Sequence, residues 1–201
     1  MRHIWLVLLL FPLFVYTNHN QNIQDMKVDR KVDKNANDPG RYPVDKSEES
    51  WKEQLDPQQF SILREAGTER PYTGAYDDFF EAGIYFSAAT GQPLFYSDTK
   101  FDSGCGWPSF FEPITEDAVY YRTDKSFGME RTEVVDASSG SHLGHVFDDG
   151  PPPTGLRYCM NSAALLFVPL GETPPDNVKK YMETLASAAE KQALEGKIPW
   201  Q

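Results

Sequence analysis

This chain is poor in cysteine and histidine: 201 residues carry two Cys and four His. The cysteines, Cys105 and Cys159, lie far apart and no CxxC pair occurs. That argues against a thiolate metal site, which draws on closely spaced thiols, and against a small disulfide-dense scaffold. Basic residues are scarce relative to acidic ones, 19 Lys and Arg against 30 Asp and Glu, and no segment concentrates them. With a net charge of −11, electrostatic nucleic-acid binding is disfavoured. Long hydrophobic runs are lacking too, with one short exception from Ile4 to Val15. A bilayer span needs about 20 apolar residues, so this run is short for one. A basic start and a polar continuation give residues 1–17 the pattern of a secretory signal peptide. The region around Thr17 has no good small-x-small cleavage site, so an uncleaved membrane anchor is the alternative. The C-terminus is not KDEL-like, and secretion and retention in the endoplasmic reticulum are not distinguished.

What remains is enough for one domain with tails, since 40% of the residues are hydrophobic. Residues 18–46 are polar, mixed in charge and poor in aromatics, and read as a disordered linker. A catalytic or binding domain is expected over 47–172. Its start, "SEESWKEQLDPQQFSILREAG", predicts two short helices, the second with Asp56 as N-cap, Pro57 in its first turn and Gly67 past its end. From Tyr72 to about Pro169 the signals are mostly β: "GIYFSA", "QPLFYS", "VYYRT", "RTEVVDA", "HLGHVF" and "RYCMNSAALLFV". Gly, Pro, Asp and Ser clusters separate them, which suits small, mostly antiparallel sheets. Residues 173–201 predict one further helix capped by Asp176 and stopped at Gly196. Its apolar face would hold Val178, Tyr181, Met182, Leu185, Ala188 and Ala189.

Cys159 admits three readings: half of a structural disulfide with Cys105, a small core residue, or a nucleophile. A structural disulfide would close a loop of about 54 residues, stabilising by about 4 kcal/mol. Cys105 stands between Gly104 and Gly106, a setting that suits a sulfur that must move toward a partner. Arg157, Cys159 and Asn161 alternate along a strand and would share one face. A cation beside a thiol favours the thiolate, which is the nucleophilic form. The bland alternative for Arg157 and Asn161 is an exposed strand face. His142 and His145 lie three apart in a Gly-bearing segment, suited to proton transfer or to metal ligation, and further metal ligands are missing. Trp107 could be packing, or an apolar wall for a methyl or thioether group.

Together these pieces resemble the type B methionine sulfoxide reductases, specific for the R epimer. The segments that carry the resemblance are "WKEQLDPQQFSILREAGTERP", "ERPYTGAY", "GIYFSAATGQPLFYSDTKFDSGCGWPSFFEPI" and "SHLGHVFDDGPPPTGLRYCMNSAAL", roughly Ser50 to Leu170. The resemblance implies a mainly β, α+β fold in which two small antiparallel sheets form a barrel-like domain with short flanking helices. It implies Cys159 as catalytic cysteine and Cys105 as resolving cysteine, with Trp107 contacting the substrate methyl group. His142, His145, Phe147, Arg157 and Asn161 match the other active-site positions. The implied reaction is reduction of methionine-R-sulfoxide, free or in oxidised proteins, through a sulfenic acid and a disulfide that a thioredoxin-like dithiol reduces. No other cofactor and no nucleic acid are implied, and a monomer is expected. Many members hold a structural zinc with two CxxC pairs. Here the equivalent positions are Ser87-Ala88-Ala89-Thr90 and Asp136-Ala137-Ser138-Ser139, which predicts a zinc-free member. Two rivals stand beside this reading: a secreted binding module with a static Cys105–Cys159 disulfide, and a zinc hydrolase using His142 and His145.

Overall fold

A computed structural model describes residues 41–200. The signal segment and all of the linker before Arg41 lie outside the described residues. The linker's last residues lie against the domain: Val44 N–H donates to Ser138 O at 2.8 Å, and Arg122 donates to Tyr42 Oη at 2.6 Å.

Two short helices open the domain, α1 (Glu48–Gln54) and α2 (Pro57–Glu65). The second starts as expected. Asp56 accepts from the Gln59 amide and the Gln59 side chain answers with Asp56 N–H, a capping box with Pro57 in the first turn. It ends at Ala66 in the left-handed conformation, just before Gly67. Trp51, Phe60, Ile62 and Leu63 turn their faces inward.

Among the described residues nine strands follow: β1 (Gly83–Ser87), β2 (Pro93–Tyr96), β3 (Lys100–Phe101), β4 (Ser109–Phe110), β5 (Val119–Asp124), β6 (Arg131–Asp136), β7 (His142–Phe147), β8 (Arg157–Met160) and β9 (Leu165–Pro169). They make a three-stranded sheet in the order β2-β1-β9 and a six-stranded sheet in the order β3-β4-β8-β7-β6-β5. The α+β class and the antiparallel pairing hold, but the sheets do not close into a barrel. "RYCMNSAALLFV" is also not one strand. A 3₁₀ turn at Ser162–Ala164 splits it, sending β8 to the large sheet and β9 to the small one.

The main core lies among α1, α2 and the two sheets. Trp51, Leu63, Tyr85, Phe95, Phe110, Leu143, Tyr158 and Met160 belong to it, and Phe95 stacks on Phe110 at 4.4 Å. β1 is buried throughout because alternate residues face two cores. Tyr85 joins the first, while Ile84 and Phe86 join Val178, Tyr181, Met182, Leu194 and Ile198 in the second. That second core is the docking site of the C-terminal segment. The segment is two helices rather than one, α3 (Asp176–Thr184) and α4 (Ala188–Leu194). Ser187 and Glu190 form a capping box that starts α4 anew, and the turn before it leaves Leu185, Ala188 and Ala189 exposed.

Candidate active site

Adjacent strands of the large sheet bring a row of side chains into register. Ser109 of β4 lies opposite Cys159 of β8, Cys159 opposite His145 of β7, and His145 opposite Glu133 of β6. Directly opposed Cβ atoms sit about 5 Å apart. Along β8 the half-buried residues are Arg157 and Cys159, while Tyr158 and Met160 point into the core. One face of this sheet therefore builds the core and the other builds the site.

Cys105 reaches Cys159 from the β3–β4 loop. Both thiols are free, with sulfurs 3.5 Å apart. The flanking glycines shape the loop that carries Cys105. Gly104 and Gly106 take left-handed φ of +67° and +89°, and a Cβ on Gly106 would meet Pro71 Cβ at 2.8 Å. They permit a tight turn that Tyr72 latches: its N–H donates to Gly106 O and its hydroxyl to Gly104 O, each at 2.7 Å.

The two thiols are coupled, since either sulfur can donate across the 3.5 Å contact. The hydrogen bond to Cys159, helped by the hydroxyls of Ser103 (3.0 Å) and Ser109 (3.5 Å), lowers the Cys105 thiol against the effect of burial. Cys159 is pushed up, first by its hydrogen bond to Cys105 and then by burial. Arg157 pulls the other way, but more weakly. The guanidinium also binds Asp149 through two bonds of 2.8 Å and stacks over Phe147 at 4.5 Å.

Both histidines are held by carboxylates. His142 Nδ1 lies 2.8 Å from Glu133 Oε1, and its Nε2 is buried without a hydrogen-bond partner. His145 Nε2 lies 2.8 Å from Asp124 Oδ2. Burial lowers the proton affinity of His145, and the Asp124 hydrogen bond opposes this. The two rings meet edge to face with centroids 5.4 Å apart.

Asn161 does not continue the half-buried face of Arg157 and Cys159. It is buried just past the end of β8, accepting from Glu69 N–H and donating to Leu143 O, each at 3.1 Å. Glu69, which sequence reasoning did not single out, organises this side. Its carboxylate accepts from Ser162 and Ala163 N–H, turning the chain out of β8, and its carbonyl accepts from Trp107 Nε1 at 3.2 Å. Asp124, Glu133, Ser103 and Ser109 were missed as well. The available signal was alternation: Glu133 is the polar position in "RTEVVDA" that strand periodicity places on the site face.

The two segments expected to stand in place of a metal clamp do converge. Asp136 accepts from Ser87 Oγ at 2.6 Å, from Ser139 N–H at 2.6 Å and from Ser139 Oγ at 2.8 Å, while Ser138 Oγ donates to Thr90 Oγ1 at 2.8 Å. This set, hydroxyls around one carboxylate that is already saturated with donors, does not fit zinc. Among the described residues, no group of three or more His, Cys, Asp or Glu could hold a metal ion.

The SelR domain model matches residues 55–169, which contain the whole constellation. Among curated relatives, the peptide methionine sulfoxide reductase MsrB of Agrobacterium fabrum is 58% identical over 127 residues, covering 63% of this chain and 94% of that protein. The MsrB of Thiobacillus denitrificans is 57% identical over 124 residues, covering 62% and 94% respectively. The MsrB of Leptospira interrogans is 55% identical over 126 residues, covering 63% and 96%. With two free sulfurs in contact beside a carboxylate-held histidine pair, inside the segment these proteins share, the chain belongs to the SelR-domain family of MsrB-type peptide methionine sulfoxide reductases.

Proposed function

We propose that this protein reduces methionine-R-sulfoxide, in proteins or free, with Cys159 as nucleophile and Cys105 as resolving thiol. One observation carries the reading: a pair of free sulfurs 3.5 Å apart, one of them directly opposite His145 across the ladder. Sulfoxide reduction needs a thiolate, a proton for the departing oxygen, and a second thiol at the end. In the first step the Cys159 thiolate takes the oxygen of the sulfoxide together with one proton, giving a sulfenic acid and methionine. The proton comes from the His142–His145 pair. In the second step Cys105 attacks the sulfenic sulfur; one more proton leaves with the hydroxyl as water, and the Cys105–Cys159 disulfide forms. A thioredoxin-like dithiol then restores both thiols by exchange. Trp107 and Phe147 supply half-buried aromatic surface near the sulfurs, suited to the apolar part of a thioether.

The same reading takes the protein as zinc-free, because the donors at Ser87, Thr90, Asp136 and Ser139 fit one another better than a metal. The test is an assay on the two sulfoxide epimers with a small dithiol as reductant, joined to a thiol count without reductant. The R epimer should be consumed, with two thiols lost for each methionine released. Consumption of the S epimer alone would overturn the family chemistry. Thiols that do not change on adding substrate would instead favour a binding module of the same fold.

A further inference from the structure

The β5–β6 hairpin sets a carboxylate behind the histidine that faces Cys159. Asp124 ends β5 and pairs in the ladder with Arg131, the first residue of β6. Its Oδ2 lies 2.8 Å from His145 Nε2 and 2.6 Å from Arg131 Nη2, and its Oδ1 accepts from Ser126 N–H at 2.8 Å. Arg131 also donates to Ser126 Oγ at 3.1 Å, so the turn at Ser126–Gly128 closes around the carboxylate. Although burial works the other way, the Ser126 amide and hydroxyl, His145 and Arg131 hold Asp124 well below the usual carboxylate range.

An ionised carboxylate can only accept hydrogen bonds. His145 Nε2 therefore carries a hydrogen whether the ring is neutral or charged, and Nδ1 is the nitrogen that gains and loses the proton. His142 is arranged the other way round: Glu133 takes its Nδ1 and Nε2 is left over. The two rings thus offer different nitrogens to the site.

We propose that Asp124, clamped by Arg131 and Ser126, is a positioning residue for sulfoxide reduction: it fixes His145 through Nε2, so that the proton for the departing oxygen leaves from Nδ1. This rests on the reductase reading above. The charged and titratable groups around His145 are Asp124 from β5, Arg131 and Glu133 from β6, His142 from its own strand, and Cys159 and Arg157 from β8. Of these, Arg131 and His142 disfavour the charged ring and Asp124 favours it. Removing the carboxylate leaves burial and the like charges unopposed.

The experiment is single-turnover methionine release from R-sulfoxide across pH, for the full chain and for Asp124→Asn. The amide keeps the size of the carboxylate and loses its charge. The alkaline limb of the profile should move to lower pH, and the rate near pH 7.5 should fall about ten- to a hundredfold, within what a positioned proton donor contributes. A uniform loss with an unmoved limb would mean that Asp124 only braces the fold, and would sink the proposal. Nitrogen-15 NMR of the wild-type imidazoles gives a second readout that does not depend on the variant folding. His145 should be in the Nε2–H tautomer, and an Nδ1–H tautomer overturns the assignment. If wild-type chain releases no methionine at all, it is the reductase reading that fails, and the tautomer still decides whether Asp124 orients His145.

Discussion

Two thiols in contact compete for one charge, so each titrates at a different pH once its neighbour is removed. Cys159 is held up: Cys105 raises it more than Arg157 lowers it. In wild type, Cys105 should be alkylated before Cys159 in weakly acidic solution, since the contact with Cys159 lowers its thiol. In Cys105→Ser the raising influence is gone. Cys159 should then lose its proton, and begin to react with iodoacetamide, at lower pH than in wild type. Peptide mass spectrometry across a pH series checks both, and preferential labelling of wild-type Cys159 near pH 6 would contradict the picture. The same variant should release about one methionine per chain and then stop.

The ladder between β7 and β8 is what makes neighbours of His145 and Cys159, and it depends on one glycine. A Cβ on Gly144 would lie 2.1 Å from Cys159 O, so no side chain fits between these strands. Gly144→Ala should separate β7 from β8 locally, lower the urea midpoint and depress methionine release together; a variant that keeps wild-type turnover would show that the register is not needed. Much of this scale was legible in the sequence. The α2 cap, the edges of β5, β6 and β7, and the alternation along β8 follow from local patterns that the structure obeys. The split of β8 from β9 was not legible, because a carboxylate 93 residues away, Glu69, takes the Ser162 amide and turns the chain. The break between α3 and α4 was legible in principle: Ser187 and Glu190 are a capping box that apolar periodicity alone overlooks. At the site, sequence placed the sulfurs and histidines. It missed the carboxylates that hold those histidines, since Asp124 and Glu133 meet them only through sheet pairing.

The molecule as a whole is tied together by buried polar groups around Asp136. Asp136 and its hydroxyls reach Gln92 through Ser138 N–H, at 2.9 Å, and Gln92 donates to Glu190 of α4 at 3.2 Å. Glu190 also accepts from Tyr181 Oη and Ser187 N–H, so the C-terminal helices and the corner beside β7 form one network. Glu190→Ala strands buried donors at roughly 1–3 kcal/mol each and should cost about 3 kcal/mol in urea unfolding. Chelators should leave the wild-type midpoint unmoved, and a midpoint that falls on chelation would contradict the zinc-free reading. The sulfur contact has a consequence at this scale as well. On the proposed cycle, the sulfenic acid on Cys159 forms with its trap already at 3.5 Å, a near-attack distance. A group so placed acts at an effective concentration of about 10⁵ M or more, far above any cellular peroxide. Hyperoxidation to the irreversible sulfinic acid is thereby outrun, and the enzyme that repairs oxidised methionine is shielded from the same oxidant at its own most vulnerable atom.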